Sequence, residues 1–267
     1  MVNYKLIAAD VDDTLLDPQL QLTESVREAV AAVMAAGVKF TLSTGRMFRS
    51  AKPYAVSLGL DIPLITYQGA LVKNALSGEE FLFRPLPLEL AWEIVEHVHT
   101  LGYHQNAYID DVLYMERDTP EGQRYSAIAG VRPELVGDLL LVLKKAPTKL
   151  LTIAEEPLLD RLMEELKFKY AGRVHISKSK PYFLEFSHPE ATKGYALQAL
   201  AEHYGIKREE VIAIGDSYND LEMLEYAGLG VMVANARDEL KAKADYVTTA
   251  PNGAGVTEVI ERFVLGR

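Results

Sequence analysis

Short apolar runs alternating with amphipathic stretches set the rhythm of the first 70 residues. Lys5-Leu6-Ile7-Ala8-Ala9 reads as a short buried strand. Val26, Ala29, Val30, Val33 and Met34 then recur at helical spacing behind Thr23, a suitable helix cap, and the run stops at Gly37. Val38-Lys39-Phe40-Thr41-Leu42 predicts a second strand ending at Ser43-Thr44-Gly45-Arg46. A helix up to Gly59 follows, and Pro63-Leu64-Ile65-Thr66-Tyr67 predicts a third strand running into Gln68-Gly69-Ala70. Strand and helix in alternation predict an α/β fold, a doubly wound parallel sheet with helices on both faces.

The rhythm changes around Phe81 to Pro87 and returns near Pro189. Between them the pattern predicts a helix over 88–101, strands over 105–109, 112–115 and 149–153, and a helix over 156–170. Two further strands, 173–177 and 182–186, flank the polar turn Lys178-Ser179-Lys180-Pro181. Hairpins mixed with helices predict an α+β domain over 83–186, inserted into a core built from 1–82 and 187–267. The α/β rhythm then resumes with a helix over 193–204, strands over 211–214 and 229–233, a helix over 220–226 and a last helix over 256–264.

Composition narrows the function. A chain of 267 residues has material for one to two domains with a full core. The absence of cysteine removes disulfides, thiolate metal sites and a cysteine nucleophile, and is compatible with a cytoplasmic location. The first 30 residues carry Asp10, Asp12, Asp13 and Asp17 and lack a cationic segment followed by an apolar stretch, so no secretory signal is expected. No apolar run reaches the about 20 residues of a membrane helix. A net charge of -10 with no gathering of cations argues against a nucleic acid polymer as partner. It is compatible with a small anionic substrate if a bound cation and one lysine invert the local potential.

Four polar clusters fall at predicted strand ends or helix starts of the core: Asp10 to Thr14, Ser43 to Arg46, Thr192-Lys193-Gly194 and Gly215 to Asp220. Ligands of open α/β sheets bind at the carboxyl ends of strands, so the four can converge on one crevice. Asp10 and Asp12 share one face of a continuing strand, but Asp13-Thr14 suggests a turn. With a turn, Asp10 can bind a metal through its carboxylate and Asp12 through its main-chain carbonyl. The Asp12 side chain is then left for proton transfer. Asp216 is the third candidate metal ligand, and an all-oxygen set suits Mg2+. None of the six histidines lies in these clusters, which disfavours zinc. A phosphate monoester at such a site needs a nucleophile, countercharge and a proton for the leaving alcohol. Asp10 is the candidate nucleophile, Asp12 the acid and base, and Lys193 the countercharge. Thr44, Asn219 and the backbone N–H groups near Val11 and Gly45 are candidate phosphate-binding groups, with a helix start expected at Arg46. Thr14 and Asp220 are supporting residues, Asp220 orienting Lys193. Arg46 either faces substrate or pairs with a core carboxylate.

These residues resemble the motifs of the haloacid dehalogenase-like (HAD) superfamily. They are Asp-x-Asp-x-Thr at Asp10, Asp12 and Thr14, a Ser/Thr at a strand end at Thr44, a helix-start lysine at Lys193, and Gly-Asp-x-x-Asn-Asp at Gly215, Asp216, Asn219 and Asp220. Thr44-Gly45-Arg46, Gln68-Gly69-Ala70 where Asn-Gly-Ala is usual, Lys193-Gly194 and a large insert between the second and third motifs resemble the Cof-type class IIB phosphatases. The resemblance spans essentially the whole chain. It implies an α/β cap domain that sets specificity, and Mg2+-dependent hydrolysis of sugar phosphates, nucleotides or cofactor phosphates through an aspartyl phosphate. Two positions depart from it. Asp13 stands where Gly is frequent, and Asp tolerates positive φ better than most residues. Gln68 keeps the amide on a longer arm.

A phosphomutase on the same scaffold and a phospho-acceptor signalling module are the alternatives that share these residues. The expected partner is a small phosphorylated metabolite, and the expected assembly a monomer or homodimer. In the insert, Tyr103, Tyr108, Tyr114, Tyr125, Arg84, Lys178 and Lys180 are candidate specificity residues. His97 and His99 point to different faces of their helix and do not form a metal site, His97 being expected solvated and His99 partly buried. Trp92 is expected in the core with Leu88, Val95 and Val98.

Overall fold

A computed structural model describes residues 4–267. In chain order its strands and α-helices are β1 (Leu6–Ala9), α1 (Glu24–Ala35), β2 (Lys39–Leu42), α2 (Phe48–Ser57), β3 (Pro63–Thr66), β4 (Leu71–Asn74), β5 (Glu80–Phe83), α3 (Leu88–Leu101), β6 (His104–Ile109), β7 (Val112–Met115), α4 (Pro120–Ala129), β8 (Glu134–Leu135), β9 (Lys149–Ile153), α5 (Glu156–Lys169), β10 (His175–Lys180), β11 (Phe183–Ser187), α6 (Lys193–His203), β12 (Val211–Gly215), α7 (Leu221–Tyr226), β13 (Leu229–Met232), α8 (Asp238–Lys241), β14 (Tyr246–Val247) and α9 (Asn252–Ile260). The chain divides into two compact units. One runs up to Thr44, resumes over Ala51–Leu82 and ends with Thr192–Arg267; the other is Gly45–Ser50 with Phe83–Ala191.

The first unit is built on a five-stranded parallel sheet of order β14-β13-β12-β1-β2. Leu6 to Ala9 are fully buried, as expected of a parallel strand covered on both faces. Leu6 and Ala8 pack with Leu197 and Leu200 of α6 and Met223 and Leu224 of α7, while α1 packs on α9. Thr23 caps α1 by accepting from the Val26 N–H at 3.4 Å. From β1 the chain winds to β2 on one side and later returns through β12 on the other. The carboxyl ends of β1 and β12 therefore flank the point where the winding reverses, the usual ligand crevice of such sheets.

The third strand departs from expectation. β3 touches the parallel sheet through a single bridge between Ser43 and Ile65, and pairs antiparallel with β4 in a separate three-stranded sheet of order β3-β4-β5. The helix after β2 begins at Phe48 and not at Arg46, and the last helix begins at Asn252, earlier than the predicted 256.

The second unit carries a six-stranded sheet of order β10-β11-β9-β6-β7-β8, antiparallel except for β7 with β8. Its core joins Leu90, Ile94 and Val98 of α3 and Leu159, Leu162 and Leu166 of α5 to Ala107, Leu150, Leu184 and Phe186 of the sheet. This is the α+β character expected of the insert, with corrections. β10 runs on through Lys178 to Lys180, with an irregularity in register between those two residues, so the reversal falls at Pro181-Tyr182 and overlaps the predicted turn only at Pro181. α4 and β8 had no counterpart in the apolar pattern. Trp92 is not core: it is 38% exposed, and its indole donates to the Leu143 carbonyl at 2.8 Å. His97 and His99 reverse their expected burial. His97 is half-buried and pairs with Glu165 at 3.3 Å, and His99 is exposed and pairs with Glu116 at 3.2 Å. No helix among the described residues is long and apolar enough to cross a membrane.

Candidate active site

The polar clusters of the first unit meet at the carboxyl ends of β1 and β12. Asp10 follows β1 directly, its N–H bound to the Ile214 carbonyl at 2.9 Å, and it is buried. Lys193, the first residue of α6 and fully buried, donates from Nζ to Asp10 Oδ1 at 2.5 Å and to Asp220 Oδ1 at 2.6 Å. The second Asp220 oxygen accepts from the N–H groups of Asp216 at 3.0 Å and Ser217 at 2.9 Å. That fold-back requires glycine at 215, because a Cβ there would lie 2.5 Å from the Asp220 side chain. Asp216 Oδ1 in turn accepts from the Thr14 hydroxyl at 2.7 Å. One carboxylate oxygen from each of Asp10, Asp216 and Asp220 lies within 4.8 Å of the others.

The turn between β1 and α1 takes the shape Asp13 permits. Asp12 is extended at φ -77° and ψ 131°, and Asp13 is left-handed at φ 61° and ψ 4°. Asp13 is exposed while Val11 and Thr14 on either side of the Asp12–Asp13 pair are buried. Asp13 thus matches the expectation that an aspartate stands in for glycine at positive φ.

Charge balance in this spot is unfavourable without a cation. Burial pushes the Asp10 carboxyl well above its ordinary range; Lys193 opposes this, and Asp220, Asp216 and Asp12 add to it. Asp216 is pushed up to about 7, again chiefly by burial and then by Asp220, against the Thr14 hydrogen bond and Lys193. Burial alone pushes Lys193 down, yet Asp10 and Asp220 hold it above its ordinary value. One lysine among three converging carboxylates leaves uncompensated negative charge, so the donor set fits a hard divalent cation. Asp10 and Asp216 are the carboxylates placed to hold it, because Asp220 is already committed to Lys193 and two backbone N–H groups.

Thr44, two residues past β2, is buried, its N–H bound to the Ile65 carbonyl at 2.9 Å and its carbonyl accepting from the Gln68 N–H at 3.1 Å. Asn219, half-buried, donates from Nδ2 to Gln68 Oε1 at 2.9 Å. Gly45 and Arg46 belong to the segment that groups with the second unit. There Arg46 donates to Ser50 Oγ at 3.2 Å and Lys149 donates to the Gly45 carbonyl at 3.2 Å. Of the insert's candidate specificity residues, Tyr108 is fully buried against Tyr125, Lys178 is tied to Asp160 at 2.7 Å, and Arg84 pairs with Glu190 at 3.2 Å. Asn235 is a residue the pattern did not single out. Its Nδ2 donates to the Asp13 carbonyl at 2.7 Å and its Oδ1 accepts from the Asn252 N–H at 2.8 Å, pinning the Asp12–Asp13 turn. Its position just after β13, at the same end of the sheet, was the available signal.

Comparison with known proteins places the whole chain in one family. A family model described as haloacid dehalogenase-like hydrolase matches residues 7–260. The Bacillus subtilis protein YxeH is 33% identical over 99% of this chain and 100% of its own length. The HMP-PP phosphatase of Cronobacter sakazakii is 30% identical over 91% of this chain and 89% of its own. A haloacid dehalogenase-like hydrolase from Bacteroides thetaiotaomicron has a solved structure that superposes with a TM-score of 0.90, at 31% identity, over 97% of this chain and 99% of that one.

Proposed function

Because the chain belongs to the haloacid dehalogenase-like hydrolase family, in its Cof-type class, and is a phosphoric monoester hydrolase, we propose that it is a Mg2+-dependent phosphatase that works through an aspartyl phosphate on Asp10. The observation that carries this reading is Lys193 held between Asp10 and Asp220 in a buried site beside Asp216. A phosphate monoester is attacked at phosphorus by the Asp10 carboxylate, and the bond from phosphorus to the leaving oxygen breaks. Asp12 gives its proton to that oxygen. Asp12, now a carboxylate, takes a proton from water, which attacks the same phosphorus and breaks its bond to Asp10, releasing inorganic phosphate. Lys193 favours the ionised form of Asp10 and offsets charge on the phosphoryl oxygens, with Thr44, Asn219 and the backbone at Val11 and Gly45 as further donors. Mg2+ held by Asp10, Asp216 and the Asp12 main-chain carbonyl would supply the remaining countercharge.

The proposed substrates are small phosphorylated metabolites: sugar phosphates, nucleotides or cofactor phosphates. Residues 83–186 are assigned as the cap domain that selects among them, and 1–82 with 187–267 as the catalytic core. A monomer or homodimer in the cytoplasm is the proposed setting, in keeping with a sequence that carries no cysteine.

Asp10→Asn tests the assignment. With Mg2+ and a generic aryl phosphate, the wild type releases phosphate and the variant does not, while its thermal midpoint stays close to wild type. Near wild-type turnover by the variant refutes Asp10 as nucleophile. Recovery of the phosphoryl group on an added sugar instead of as free phosphate points to a mutase.

A further inference from the structure

The turn between β3 and β4 is made of residues that resist its shape. Tyr67, Gln68 and Gly69 have φ of 52°, 60° and 102°, so three consecutive residues are left-handed and two of them carry side chains. For residues that carry side chains such conformations are disfavoured and persist where the surroundings over-determine them. Both side chains are buried, Gln68 to 5% exposure.

The contacts of this turn explain what the strain maintains. The Gln68 N–H binds the carbonyl of Thr44, just past β2. Gly69 lies against the Thr192 carbonyl at the start of α6, so close that any Cβ would collide with it, and α6 is the helix that carries Lys193. The Gln68 carboxamide oxygen receives the Asn219 Nδ2 hydrogen bond at 2.9 Å from the loop after β12. One strained turn therefore touches all three segments that supply the candidate phosphate-binding groups Thr44, Lys193 and Asn219.

We infer that Gln68 is a positioning residue that fixes the Asn219 carboxamide so that its second N–H faces the phosphate; this rests on the phosphatase reading above. An unrestrained carboxamide turns freely about its last bond between two orientations that exchange its N–H2 and oxygen. Only one presents a donor to an anion, and the other presents an oxygen that repels it. The acceptor at Gln68 engages one Nδ2 hydrogen and so selects the donating orientation. The left-handed backbone at Gln68 places its side chain to reach Asn219 while its own N–H holds Thr44.

The test uses the full chain with Mg2+ and reads phosphate affinity and turnover separately. Gln68→Gly relieves the backbone strain, so its thermal midpoint should equal or exceed that of the wild type. It should nevertheless bind inorganic phosphate about tenfold or more weakly by calorimetry, the effect of one charge-assisted hydrogen bond. Its KM for an aryl phosphate should rise accordingly. Asn219→Ala should lose a similar amount, and the double variant should be no worse than Asn219→Ala, since the two act as one unit. Unchanged phosphate affinity in Gln68→Gly, or losses that multiply in the double variant, overturns the inference. So does a wild type that binds no phosphate. A wild type that binds phosphate with this Gln68 dependence but hydrolyses no ester overturns only the phosphatase reading.

Discussion

Thr14 and Asp216 are 202 residues apart in sequence, yet the Thr14 hydroxyl donates to Asp216 Oδ1 at 2.7 Å and joins the turn after β1 to the loop after β12. The bond favours the ionised carboxylate, opposing the burial and the Asp220 charge that push Asp216 up to about 7. Both partners sit at the reversal point of the sheet, so their contact couples the two strand ends that bracket the candidate metal site.

Removing the Thr14 hydroxyl should therefore weaken the metal without unfolding the protein. Thr14→Val keeps the shape of a fully buried side chain and leaves Asp216 without its donor. Groups that orient a metal ligand typically contribute about 10–100-fold in metal affinity. The concentration of Mg2+ giving half-maximal activity should rise by that order while activity at saturating Mg2+ recovers most of its value. An unchanged Mg2+ requirement would show that Thr14 does not act through Asp216.

Metal binding should also release protons near neutral pH. Asp216 has an ordinary carboxyl pKa when the chain is unfolded and is pushed up to about 7 by burial and by Asp220 when the chain is folded without metal. Between those values the folded state holds more protons than the unfolded state, so the metal-free protein loses stability as pH rises through about 7. A cation needs the carboxylate ionised. Mg2+ should raise the thermal midpoint more at about pH 8 than at about pH 6, and calorimetry at about pH 6.5 in buffers of differing ionisation enthalpy should detect proton release that fades by about pH 8.5. Proton release independent of pH over that range would remove Asp216 from the ligand set.

The parts of this site that could be read from the sequence are those where an apolar run stops at polar residues. Asp10, Thr44 and Asp216 lie at such breaks and Lys193 at a capped helix start, and the parallel sheet carries those strand ends to one side. What stayed hidden depends on strand pairing or on faces with too weak an apolar pattern to read. Leu71–Asn74 follows Gly69 so closely that it merges with the turn, and an apolar count cannot tell that β3 turns back on it. α4 buries Gly122 alone among its residues, so it has no apolar stripe to find, although Thr119-Pro120-Glu121 carries a readable cap. Trp92 sits at the border of the α3 stripe, where spacing does not decide between inside and outside. The pairings of Gln68 with Asn219 and of Asn235 with Asp13 join segments 151 and 222 residues apart, and only the topology brings them together.

Lys193 carries the heaviest structural load of the candidate catalytic groups, because it is the single cation between two buried carboxylates. Lys193→Met conserves most of the volume and leaves Asp10 and Asp220 facing each other without compensation. Removing one member of a buried charge network costs about 3–5 kcal/mol. Asp10 can escape that cost by binding a proton, so the loss should be largest at alkaline pH and shrink as the pH falls and Asp10, already raised in the wild type, becomes protonated. The variant should therefore be inactive, and its thermal midpoint should lie furthest below wild type at about pH 8 and closest at about pH 5. Added Mg2+ should restore part of the midpoint at about pH 8 but not the activity, because the cation can replace charge without replacing the ammonium between Asp10 and Asp220. A pH-independent deficit in the midpoint would mean that Lys193 stabilises the fold through packing alone.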